Sequence, residues 1–197
     1  MRCFQCKKLS YKPLCAQCQK LYLITTPSKR EVGNLEVVSF FDYFVIEEFI
    51  KSKYDASGYK IYRFLAQNYI QPFLQSYLQA KKEQYFLIGV DESSKRDYLS
   101  IAQLLHYGAR NIPNLKALYN VLKAKHKVEY AGKSLAFRLA NPREFVYKGP
   151  SHIKVILIDD LVTTGLTLQE AYKVLQKSNV VVEFALTLAN AKKQIDY

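Results

Sequence analysis

Nowhere in the 197 residues does an apolar run approach the roughly 18 residues that a membrane-spanning helix needs. The richest stretch, residues 37–46, is interrupted by Ser39 and Asp42. The opening Met1-Arg2-Cys3-Phe4-Gln5-Cys6 has no apolar core after its positive residue, so it does not read as an export signal. The expectation is a cytoplasmic protein and not an integral membrane one. Internal repeats and low-complexity segments are also missing, which leaves one or two ordinary globular domains. Acidic residues are scarce. Seventeen Asp and Glu stand against 29 Lys and Arg, a net charge of +12 with a pI near 9.4. That balance favours anionic partners: nucleic acid, phosphorylated small molecules or an acidic membrane face. The excess is spread along the chain, but residues 110–148 hold nine basic residues against only Glu129 and Glu144. This segment is the first place to expect an anion-facing surface; a merely solvated basic face is the alternative.

Cysteine is absent from the last 179 residues, and all four cysteines fall in the first eighteen. Cys3, Cys6, Cys15 and Cys18 form C-x2-C-x8-C-x2-C. Two thiolates on one tight turn can occupy adjacent vertices of a zinc tetrahedron, and the second pair completes it. Such a short module has too few apolar residues for a core, so the metal would supply its folding energy. Four filled positions leave no place for a catalytic water, which makes the expected Zn2+ structural. Disulfides are the competing pairing, disfavoured in a reducing compartment, and an iron–sulfur cluster is a further alternative. The module is expected to be a small peripheral knuckle over residues 1–24.

The remaining chain, residues 25–197, reads as α/β. Residues 21–29 look like a connector and 35–41 like a strand. Residues 43–54 and 59–78 carry helical periodicity, with Pro72 expected to bend or break the second helix. Their aromatic stripe, Leu65, Tyr69, Phe73 and Tyr77, points to core. From residue 85 short apolar runs alternate with helical stretches. Strands are expected at 85–90, 117–122, 155–158 and 180–188, and helices at 100–107, 134–139 and 166–176. This alternation predicts βαβ units, hence a mostly parallel sheet flanked by helices. Residues 25–84 would add a strand and helices to a core built from 85–197. Ligands of such sheets sit beyond the carboxyl ends of the strands.

Residues 155–167 carry the chemistry. Val155-Ile156-Leu157-Ile158 reads as a buried strand, Asp159-Asp160 stand at its carboxyl end, and Thr163-Thr164-Gly165-Leu166-Thr167 opens a helix. The turn offers amides, hydroxyls and a helix N-terminus to a phosphate, and Gly165 permits close backbone approach. The carboxylates would accept bonds from sugar hydroxyls, or hold Mg2+ directly or through water. A phosphate at one end and a diol at the other describes a ribose 5-phosphate. The plain alternative is a βα turn with a threonine N-cap.

The same residues resemble the thirteen-residue signature of type I phosphoribosyltransferases, which bind 5-phosphoribosyl-1-pyrophosphate (PRPP). With the four cysteines, the stretch Phe49-Ile50-Lys51-Ser52-Lys53-Tyr54 and the pair Arg138 and Asn141, nearly the whole chain resembles the ComF/ComFC competence family. That resemblance implies a zinc finger joined to a type I phosphoribosyltransferase-like domain, acting in DNA uptake during natural transformation. It implies Asp159 and Asp160 as the catalytic pair on the ribose 2- and 3-hydroxyls. It places Val162, Thr163, Thr164, Gly165 and Thr167 around the 5-phosphate, and Mg2+ with PRPP. Asp91, Arg96, Lys133 and Arg138 are the candidates for the pyrophosphate side. There the family's Pro-Val-Pro stands as Gly89-Val90-Asp91, and its Arg-Gly-Phe-Asn as Arg96-Asp97-Tyr98-Leu99. The resemblance implies PRPP as partner, and other DNA-uptake proteins at the inner membrane, where the protein would sit peripherally; the basic charge of residues 110–148 adds single-stranded DNA, with Lys123, Lys125 and Lys127 as candidate contacts. Two classes stay open: a phosphoribosyltransferase with an unidentified acceptor, and a non-catalytic single-strand-binding accessory protein.

Overall fold

The computed structural model describes residues 1–25, 27–56, 58–90, 98–126, 128 and 134–191. After the cysteine hairpin comes α1 (Ala16–Tyr22), then β1 (Ser28–Val32), β2 (Leu35–Asp42) and α2 (Tyr43–Lys51), which a 3-10 turn (Ser52–Tyr54) extends. A second helical stretch runs through α3 (Gly58–Leu65), a π turn (Ala66–Ile70) and α4 (Gln71–Leu78). The remaining elements are β3 (Tyr85–Gly89), α5 (Tyr98–Gly108), β4 (Leu115–Leu118), β5 (Leu122–Ala124), α6 (Leu135–Ala140), β6 (Phe145–Tyr147), β7 (Lys154–Val162), α7 (Leu166–Lys177) and β8 (Val181–Asn190). Six strands make one sheet in the order β1-β2-β8-β7-β3-β4, while β5 and β6 pair separately. Only β1–β2 is antiparallel in the large sheet; the other four pairings are parallel, as the alternation predicts.

β7 is central because nothing polar interrupts Val155-Ile156-Leu157-Ile158, all fully buried. Each such side chain contributes about 1.5–3 kcal/mol by leaving water. The pleat divides them. Ile156 and Ile158 join one core with α3, the π turn and α5; Val155 and Leu157 join the other with α7. α5 and α7, the helices that follow β3 and β7 in the chain, therefore cover opposite faces. The crevice between β3 and β7 is thus a topological switch point, where open α/β sheets bind ligands.

Some expectations change. The connector contains the end of α1 and the start of β1, which hairpins onto β2 through Gly33 and Asn34. The strand expected at 117–122 is two strands, β4 and β5, separated by a bend in which Asn120 takes a φ of 60°. Pro72 does not break its helix. It lies at the start of α4, behind a π turn, and Asn68 Nδ2 donates to Phe64 O at 2.7 Å. The cysteine module is not peripheral in its packing: Cys3, Leu14, Cys18 and Leu23 lie in the same buried cluster as Phe49 and Leu65. Phe4 and Tyr22 flank Phe49, with ring centroids 5.9 and 6.1 Å away. Among the described residues no helix is long and apolar enough to cross a membrane.

Candidate phosphate, diol and metal sites

β7 outruns its neighbour. Its pairing with β3 ends at Gly89 opposite Ile158, whereas pairing with β8 continues to Val162 opposite Asn190. Asp159 and Asp160 therefore lie inside the strand and not in a loop beyond it, at the open end of the crevice. They are only 5% and 6% exposed. Because adjacent strand residues alternate, the two carboxylates point to opposite faces. Asp160 Oδ2 accepts from Lys53 Nζ at 3.0 Å and from Tyr62 OH at 2.8 Å. Asp159 Oδ1 accepts from the Asp160 amide at 2.8 Å. Tyr62 is fully buried, and burial followed by the Asp160 charge raises its pKa well above 10, so its hydroxyl stays a donor. Both side-chain bonds to Asp160 fall on Oδ2. Oδ1 thus remains an acceptor that no described residue uses.

The phosphate turn follows directly. Gly165 has a φ of +84° and caps α7, a conformation that few L-residues tolerate. A Cβ there would lie 2.5 Å from Val32 Cγ1, so β1 closes against the turn. Thr163 is held from two sides: Arg30 Nη2 donates to its carbonyl at 2.6 Å, and Arg138 Nη1 donates to its Oγ1 at 2.8 Å. Burial lowers the Arg30 pKa. Arg30 Nε is buried without a hydrogen-bond partner among the described residues. Thr164 is exposed, and Thr167 in the first turn of α7 is half-buried.

Arg138 is thus brought to the turn that follows β7. The chain after α6 is tied to α7, the Arg143 amide donating to Glu170 Oε2 at 3.0 Å. Asp91, Arg96 and Lys133, the other pyrophosphate candidates, lie outside the described residues, as does Lys127. Lys123 and Lys125 lie on one face of the small β5–β6 sheet. With Asn120, Val121, Ala124, Val146 and Lys148 they line a cavity of about 270 Å³ that includes no residue of the 155–167 stretch. Lys125 is 3.5 Å from Glu144.

The four cysteine sulfurs all lie within 4.8 Å of one another. Cys6 and Cys15 are 3.7 Å apart at Sγ, far beyond a disulfide bond. Zinc–sulfur bonds of about 2.3 Å in a tetrahedron require sulfurs about 3.8 Å apart, so the geometry fits a metal such as zinc. The Cys15 amide donates to Cys3 Sγ at 3.3 Å. Burial raises the Cys3 thiol, but amides from Cys15, Cys6 and Gln5 outweigh it and bring its pKa down to about 6. Burial and the neighbouring sulfurs push Cys18 up to about 12. A divalent cation held by these residues would let four thiolates coexist.

Sequence reasoning assigned no role to Arg30, Lys53 or Tyr62. Lys53 appeared only within the family stretch, and Arg30 and Tyr62 carry no local signal; each reaches its partner from about a hundred residues or more away.

No family model matches the chain, and no curated protein matches it. Solved structures similar to it include an adenine phosphoribosyltransferase, at 13% identity over 89% of each chain with a TM-score of 0.43. The Saccharomyces cerevisiae adenine phosphoribosyltransferase is similar at 13% identity over 88% of this chain and 87% of that one, with a TM-score of 0.43. A Staphylococcus aureus hypoxanthine phosphoribosyltransferase is similar at 15% identity over 66% and 62%, with a TM-score of 0.41.

Proposed function

We propose that the chain is a PRPP-binding, phosphoribosyltransferase-like protein with a structural zinc module in residues 1–24 and its ligand site in residues 25–197. The observation that carries this reading is the arrangement at the end of β7. Two buried carboxylates stand in the β3–β7 crevice, and a turn braced by Arg30 and Arg138 follows them. The 5-phosphate would take the amides and hydroxyls from Thr163 to Thr167, with the unsatisfied Arg30 donor beside them. Asp160 Oδ1 and Asp159 would accept from the ribose hydroxyls. Mg2+, held by these carboxylates directly or through water, would neutralise pyrophosphate charge when bound. The residues themselves orient the ribose so that pyrophosphate departs from C1 as an acceptor enters, a reaction driven by positioning and electrostatics. Following the family resemblance, the role would be in DNA uptake during natural transformation, in the cytoplasm or peripherally at the inner membrane with other uptake proteins.

Calorimetry with Mg-PRPP tests the site. Asp160→Asn should weaken binding by about 1–3 kcal/mol for the charge-assisted bond lost. Unchanged affinity in a folded variant would remove the assignment. Pyrophosphate release across a panel of acceptors then separates a transferase from a binding protein.

A second reading, a non-catalytic accessory protein for single-stranded DNA, is favoured by the β5–β6 face. There Lys123, Lys125 and Lys148 rim a cavity with Val121 and Val146 on its walls, suited to phosphates beside bases.

A further inference from the structure

Lys53 reaches the candidate diol site from the N-terminal helices. Its side chain is 14% exposed, and its ammonium lies 3.0 Å from Asp160 Oδ2, on a side chain 8% exposed. Three contacts fix where that ammonium starts. Ser52 Oγ donates to Phe49 O at 2.6 Å, which locks the 3-10 turn to the end of α2. Tyr62 OH is within 3.0 Å of Ile50 O and 2.8 Å of Asp160 Oδ2, so one buried hydroxyl touches both the helix that carries Lys53 and the carboxylate Lys53 meets. The start of α3 packs so closely on Ser52 that a Cβ at Gly58 would run into the Ser52 carbonyl. Phe49, one turn before Lys53, is 1% exposed and is clamped by Phe4 and Tyr22, two aromatic residues of the cysteine module. Phe4 lies between Cys3 and Cys6, and Tyr22 ends α1, whose first turn carries Cys18.

We propose that Lys53 is a positioning residue for Asp160 and that the metal-bound cysteine module holds it there through Phe49, so that metal binding at the N-terminus sets how well the crevice takes a ribose diol. The proposal rests on the phosphoribosyl reading of the site and adds its regulation. Lys53 touches Oδ2 and leaves Oδ1 to the ligand, so its work is orientation of the carboxylate. Loss of the metal frees Cys3, Cys6 and the Phe4 between them, loosens the clamp on Phe49, and lets the 3-10 turn withdraw its lysine from Asp160. The phosphate turn is braced independently, by Arg30 from β1 and Arg138 from α6, so it should not feel this change.

The test uses the full chain under reducing conditions, with and without its metal, and two probes: ribose 5-phosphate, which engages both ends of the site, and inorganic phosphate, which engages only the turn. Lys53→Met should weaken ribose 5-phosphate about tenfold, the size of one charge-assisted contact, and leave inorganic phosphate unchanged. Lys53→Arg should recover most of the loss. Metal removal should reproduce the Lys53→Met effect in the wild type and add little in Lys53→Met. Equal, multiplying effects of metal removal in both proteins would overturn the coupling, and a Lys53→Met protein that binds ribose 5-phosphate normally would overturn the positioning role. If the wild type binds neither probe, the phosphoribosyl reading fails on its own. Amide hydrogen exchange then still decides the coupling. Metal removal should speed exchange at residues 49–54 and 158–162, and a change confined to residues 1–24 would refute it.

Discussion

Arg138 and Thr163 meet across 2.8 Å, guanidinium Nη1 to hydroxyl Oγ1, and this bond joins the β5–β6 connection to the phosphate turn. The turn is held on its other side by Arg30, through the Thr163 carbonyl. A turn held by two cations, one through its backbone and one through a side-chain hydroxyl, loses little entropy when an anion binds. It also supplies positive charge where a phosphate would rest.

Removing one brace should therefore weaken anions without unfolding the chain. Arg138→Ala is expected to lower Mg-PRPP affinity by about 1–3 kcal/mol. Arg138→Lys should recover only part of it, since an ammonium lacks the planar fork. Calorimetry on both variants, with thermal melts to confirm folding, checks this. An unaltered affinity in Arg138→Ala would mean that the α6 contact is irrelevant to ligand.

Gly165→Ala should destabilise the fold itself. The residue must hold a φ of +84°, which costs an L-residue about 1–2 kcal/mol, and its new methyl meets Val32 Cγ1. Overpacking adds about 1–3 kcal/mol. Urea denaturation should show that Val32→Ala relieves the second part and not the first, a coupling read from the double-mutant cycle.

Metal uptake should release protons. With its pKa near 12, Cys18 is protonated at neutral pH in the metal-free protein, whereas Cys3, near 6, is already largely thiolate. Closing the tetrahedron requires all four thiolates, so Cys18 must lose its proton. Zinc affinity should then fall as pH falls. A weakly buffered titration with a pH indicator, run alongside metal analysis of the purified protein, measures both. One zinc per chain and at least one proton released are expected.

If the β5–β6 face binds single strands, affinity should fall with salt by roughly 0.7 log units per log of salt for each phosphate contacted. Reversing the charge of Lys123, Lys125 and Lys127 together should flatten that slope, while Asp160→Asn should leave it alone. A slope untouched by the triple reversal would exclude this face.

Much of the molecule was legible because its signals are local. The tetrahedral cysteine set lies within sixteen residues, and the strand, carboxylates and turn within thirteen, so spacing along the chain is nearly spacing in space. The parallel sheet followed from apolar runs alternating with helical periods. β1 escaped notice because Ser28-Lys29-Arg30-Glu31-Val32 is polar at most positions, as befits an edge strand that pairs on one side only. The break between β4 and β5 was also hidden, since a single Asn120 between apolar neighbours is all that marks it in the sequence.

The composition of each site beyond its motif was decided only by tertiary structure. Arg30 lies 133 residues from Thr163, Lys53 lies 107 from Asp160, and Tyr62 lies 98 from the same carboxylate. Residue types in the chain determined that a four-cysteine cluster, a glycine-bearing turn and paired acids would exist. Which cations met those acids, which face each carboxylate took, and that the cysteine module shares a core with the α/β body depended on packing. Contacts between segments this far apart form only when the sheet order and the burial of Phe49 bring α2 beside β7, and no short stretch of sequence encodes that encounter.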